Sequence, residues 1–172
     1  MVVLRCTQRL LRRLNQKPAE QAPASSTVLG DWYANIIWMH RRPLVLAVSA
    51  RSLLPVLFPA RDPASLGARF SASLGAVLAA LGIPADQIDG EQRHMAKVAL
   101  ARTISRQILG TMNDFGRMLD VAPGQSLLNA ALDLAKAPCG PIGMESPDRV
   151  TVDLFGRGPT RSGSSPRFGS TG

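Results

Sequence analysis

Residues 31–58, DWYANIIWMHRRPLVLAVSARSLLPVLF, hold three apolar runs separated by two short polar joints. From Asp31 to Met39, Trp32, Ala34, Ile36 and Trp38 alternate with Tyr33, Asn35, Ile37 and Met39, the period of a strand with two distinct faces. His40-Arg41-Arg42-Pro43 makes a tight connection. Leu44 to Val48 is apolar throughout, as expected of a strand covered on both faces. Ser49 to Ser52 turns the chain into Leu53 to Phe58, where Pro55 lacks an N–H and puts that strand at an edge or a bulge. The three runs predict an antiparallel meander. Trp32 and Trp38 share one face and are expected in the core rather than as a base-stacking platform.

Outward from this stretch the period changes. Leu66, Phe70, Leu74, Val77, Leu78 and Leu81 recur every three or four residues after Ser65, a helix that Gly82 and Pro84 end. Asp89-Gly90-Glu91-Gln92 has the form of a capping box. The helix it would open runs to Leu109, apolar nearly all round and therefore expected at the centre of the fold. Gly110 is expected to break it, with Thr111 capping a shorter helix through Met112, Phe115 and Leu119. Ser126 caps another, ended by Pro138 and Gly140. Val150, Val152 and Leu154 alternate with Thr151 and Asp153, predicting a last strand from Val150 to Phe155. Upstream, Val2 to Cys6 reads as a short edge strand, followed by an amphipathic helix with Thr7 as its cap. Lys17 to Thr27 is a Pro/Ala/Ser loop.

These elements predict an α+β fold: a mainly antiparallel sheet of four to five strands, with three to four helices packed mostly on one face. Its 172 residues suffice for one domain, assigned to residues 1–155. The Gly/Ser/Pro/Arg tail at 156–172 is expected to be disordered. With 45% hydrophobic and 19% charged residues the composition is that of a globular chain. Apolar runs are cut by Arg or Pro well short of the ~20 residues of a membrane span. Cys6 and Cys139 are read as small buried hydrophobes, and no Cys/His cluster has metal-site spacing. The expectation is a cytoplasmic protein with no membrane association, no metal and no cofactor.

The net charge of +8 is unevenly placed. Residues 1–61 carry eight arginines and Lys17 against Glu20 and Asp31, a balance of +7, whereas residues 62–155 total −2. Arg5, Arg9, Arg12, Arg13, Arg41 and Arg42 are candidates for a basic surface, suited to phosphate or carboxylate groups. The acid-free opening also mimics an organellar presequence. No G-x-S-x-G, GxxxxGK[ST] or GxGxxG occurs, and His40 and His94 stand alone as surface residues.

Arg102 and Arg106, four apart on the long predicted helix, would share a face with Met95, Val98 and Leu109. Buried arginines require partners, and Asp31 and Asp114 are the candidates. A structural lock is the expected outcome. The competing outcome is an anion-binding pocket of Arg51, Arg102, Arg106 and Asn113 with Asp31 or Asp114. Asp31, Tyr33 and Asn35 would form a polar stripe on one strand face. The charge asymmetry and the missing catalytic motifs lean towards a non-enzymatic binding module whose basic N-terminal third meets an acidic partner, nucleic acid or protein. The alternative is an enzyme or small-ligand protein built on that pocket.

VLRCTQRLLRRL (3–14), STVLGDWYANIIWMHRRPLVLAVSARSLLPVLFPARD (26–62), ALARTISRQILGTMNDF (99–115) and PCGP (138–141) resemble the bacterial domain-of-unknown-function family DUF6933, in order and with matching spacing over about residues 1–155. The resemblance implies that the Arg-rich N-terminus belongs to the domain rather than to a targeting leader. It implies no activity or ligand.

Overall fold

The computed structural model describes residues 1–157. Five strands, β1 (Val2–Cys6), β2 (Trp32–Met39), β3 (Arg42–Ser49), β4 (Pro55–Pro59) and β5 (Val98–Arg102), form one sheet in the order β4-β3-β2-β1-β5. Six helices accompany it among the described residues: α1 (Gln8–Leu14), α2 (Leu66–Ala80), α3 (Ala85–His94), α4 (Arg106–Met118), α5 (Leu127–Leu134) and α6 (Pro147–Gly156). The tail assigned to 156–172 lies, from Gly158 onward, outside the described residues.

The meander is present: β2 pairs antiparallel with β3, and β3 with β4. Pro55 lies on β4, the edge strand, where its missing N–H disturbs one ladder at most. The sheet as a whole is mixed, not mainly antiparallel, because β1 runs parallel to both its neighbours. Far from being an edge, β1 is an interior strand, and Val2, Val3 and Leu4 are fully buried.

The helix expected from Asp89 to Leu109 is three elements. Asp89 lies inside α3, which starts after Pro84 with Asp86 in its first turn. Val98–Arg102 is strand β5, in register with all of β1. α4 begins after Ser105, whose hydroxyl accepts from the Ile108 N–H at 3.3 Å, so Thr111 is not a cap and Gly110 does not break the helix. The strand expected at Val150–Phe155 is α6 instead. Pro147 is pre-set for the first helical turn, and Pro147, Thr151 and Phe155, four apart, form its buried face.

Helices cover both faces rather than mostly one. Phe70 of α2 meets Trp32 edge-on at 5.1 Å and stacks on Phe58 at 5.8 Å, geometries worth roughly 0.5–1.5 kcal/mol each beyond burial. α4 packs on β2 and β3, and its Met112 borders Asn35 and Leu46 of the opposite face. Leu44 to Ser49 of β3 are accordingly all buried. Trp32 is buried as expected, but Trp38 is 54% exposed, because it lies near the end of β2 beyond the reach of α2.

Candidate functional site

At the end of β1 the chain turns sharply into α1. Thr7 accepts from the Leu10 N–H and donates its hydroxyl to Asn35 Oδ1 at 2.6 Å, capping the helix and tying it to β2. From β1 the chain passes through α1 to β2 on one side, and it later enters β5 on the other. The strand order therefore reverses at β1, and the carboxyl ends of β1 and β5 open a crevice of the kind that binds ligands in sheets with parallel strands.

A groove of about 890 Å³ occupies that position. α1 and the loop after it form one wall, with Arg12, Lys17 and Glu20; Arg5, Ala101 and Arg102 line the strand side. Arg5 is not a surface cation. Its Nε donates to Asp31 Oδ2 at 2.7 Å, its Nη1 donates to the Arg102 carbonyl, and its side chain is only 16% exposed. Ser25 donates to the other Asp31 oxygen at 2.6 Å. Arg12, Lys17 and Arg102 are exposed and have no ion-pair partner among the described residues. Three cations against Glu20 leave the groove positive.

The expected polar stripe exists on one strand face but is used internally: Asp31 holds Arg5, Tyr33 is buried and Asn35 holds Thr7. Burial pushes the Tyr33 hydroxyl up against the pull of Arg5. The six residues of the predicted pocket do not come together. Arg102 borders the groove, while Arg51 donates to the Val28 carbonyl at 2.9 Å in a separate depression. Asn113 lines a third depression, and Asp114 lines a fourth while pairing with Arg117 at the surface, 3.2 Å away. Arg106 is exposed at the start of α4. The buried Arg/Asp lock is absent because Arg102 and Arg106 belong to a strand and a different helix, both with exposed side chains.

The depression at Arg51, about 700 Å³, also holds Glu91 and His94. His94 Nδ1 lies 3.0 Å from Ser26 Oγ. The Glu91 carboxylate instead accepts from the Val28 and Leu29 N–H groups at 2.8 and 3.2 Å, so its hydrogen bonds do not orient the imidazole as a catalytic triad would. Cys6 is buried and its thiol is pushed up to about 12 by desolvation, which leaves it inert as a nucleophile. Among the described residues no three His, Cys, Asp or Glu side chains gather as metal ligands. No described helix is long and apolar enough to cross a membrane.

Sequence periodicity missed the surroundings of Trp38. A depression of about 360 Å³ places it with Arg9, Asn35, Met112, Asn113 and Arg117. Alternation assigns a strand residue to a face and says nothing about where the neighbouring elements stop. The one available signal was its position, two residues before the His40-Arg41 turn.

No curated protein matches the chain. The family model for the domain of unknown function DUF6933 matches residues 3–150. That span takes in β1 from Val3 onward, the other four strands, the groove and the Trp38 depression, and on it the chain belongs to the DUF6933 family.

Proposed function

We propose that the protein is a non-enzymatic binding module of the bacterial cytoplasm, which takes an acidic partner, nucleic acid or protein, into the groove between α1 and β5. The observation that carries this is the set Arg12, Lys17 and Arg102, exposed and without acid partners among the described residues, at the point where the strand order reverses. Arg9 and Arg13 extend the basic face along α1, and Arg41 and Arg42 add to it at the β2–β3 turn. Guanidinium and ammonium groups that no carboxylate neutralises are available for charge-assisted bonds to phosphate or carboxylate. Two unpaired cysteines fit a reducing compartment. An enzyme or small-ligand pocket would need Arg51, Arg102, Arg106 and Asn113 in one recess; Arg102, Asn113 and Arg51 border three different ones, and Arg106 is exposed at the start of α4.

Retention on heparin across a salt series tests the proposal. The wild-type protein is expected to bind at low salt and elute as salt rises. Arg12→Gln with Arg102→Met is expected to elute clearly earlier, while Arg102→Met changes unfolding free energy by less than about 0.5 kcal/mol, as a surface substitution does. Indifference of the wild-type protein to heparin at low salt removes polyanion binding from the groove.

A further inference from the structure

We propose that the depression at Trp38 is a base-stacking site, and that the partner of the basic groove is single-stranded nucleic acid. This rests on the groove binding a polyanion and adds what that polyanion must carry.

Strand lengths create the site. β1 stops at Cys6, opposite Ala34, where Thr7 turns the chain away into α1. β2 continues to Met39, so among the described residues no strand lies beside residues 35–39 on that edge. Trp38 lies opposite Pro43 of β3 and is 54% exposed, whereas Trp32 is wholly buried. An indole left open at a concave surface offers a π-face on which any base can stack, and aromatic platforms with basic surroundings are how sequence-tolerant single-strand binders work.

The remaining lining matches the other parts of a nucleotide. Asn113 stands on α4, across the open edge of β2 from the face that carries Trp38, and from there lines the same recess with an amide able to donate and accept. Among the described residues, Arg9 brings a cation without an acid partner, and Arg117 one shared only with the exposed Asp114. α1 joins the two recesses, since Arg9 borders the Trp38 depression while Gln8 and Arg12 border the groove. A strand stacked on Trp38 therefore meets positive charge along α1 up to Lys17 and Arg102. A duplex keeps its bases in the stack and cannot use the indole in this way. An acidic peptide would use the charges but has no regular planar group for the recess.

The test uses the full chain, a labelled single strand of about twelve nucleotides, the same sequence as a duplex, heparin and polyglutamate. The single strand is expected to bind more tightly than the duplex and not to be displaced by equimolar polyglutamate. Trp38→Ala is expected to weaken single-strand binding about tenfold, Trp38→Phe less than about threefold, and neither to change heparin elution. Oligonucleotide is expected to quench tryptophan emission in the wild-type protein. It should leave Trp38→Phe unquenched, because only buried Trp32 remains. If heparin binding depends on Arg102 but Trp38→Ala binds the single strand like the wild-type protein, stacking is wrong and the groove proposal stands. If heparin is not bound at all, the groove proposal itself falls. Equal affinity for duplex, or displacement by polyglutamate, overturns the choice of single-stranded nucleic acid.

Discussion

Glu91 joins the loop before β2 to α3 through two hydrogen bonds, to the Val28 and Leu29 N–H groups, and only 2% of it is exposed. Burial raises its pKa above the usual 4.5, outweighing the two amides and the attraction of His94 and Arg51. A carboxyl raised on folding favours the native state most when protonated. Its contribution is full below 4.5 and is lost as pH rises through the raised value. Glu91→Gln cannot titrate, so the stability difference between wild-type protein and variant, measured by urea unfolding between pH 4 and 8, should shift against the wild type as pH rises. A constant difference would show that Glu91 keeps its ordinary pKa. Glu91→Ala strands both N–H groups and should cost about 2–4 kcal/mol at pH 4, the cost falling as pH rises just as the difference from Glu91→Gln does. Nothing in the sequence separates Glu91 from the other acids, because its role comes from a loop some sixty residues earlier.

The β2–β3 connection is a two-residue turn in which His40 and Arg41 both have positive φ, +46° and +65°. That is the geometry for which Asn-Gly is preferred, and a side chain there is disfavoured. Arg41→Gly should therefore stabilise the hairpin by roughly 0.5–1 kcal/mol, read as a raised urea midpoint, while weakening oligonucleotide binding by removing a cation near Trp38. No gain in stability would mean that the arginine is not strained there. The meander around this turn was legible because β-strand alternation and turn chemistry are local. The pieces that misled were short apolar runs. Val98-Ala99-Leu100-Ala101 fits a helix or a strand equally, and its pairing along the whole of β1, nearly a hundred residues away, decides the matter. For α6 the sequence held both periods: Val150, Val152 and Leu154 at two, Pro147, Thr151 and Phe155 at four. Ser146-Pro147-Asp148 at its start was the deciding signal. Of the candidate site, the basic character of α1 was readable from composition, whereas the placing of Arg102 in the groove required β5 to be a strand.

Across the whole molecule, the charge of +8 attracts any polyanion, so binding alone does not separate a general field from a defined path. Salt dependence does. Each phosphate neutralised on a single strand contributes about −0.7 to the slope of log affinity against log salt concentration. A path over Arg9, Arg12, Lys17 and Arg102 should give a slope of about −3. Replacing any one of these by Gln should make it shallower by about 0.7, with the affinity falling by a similar factor for every sequence tested. Arg149, equally exposed on α6 and away from both recesses, supplies the control. Arg149→Gln lowers the net charge by the same amount and should leave the slope unchanged. If it shifts the slope as much as Arg102→Gln does, the strand follows no path along α1, and the attraction belongs to the total charge.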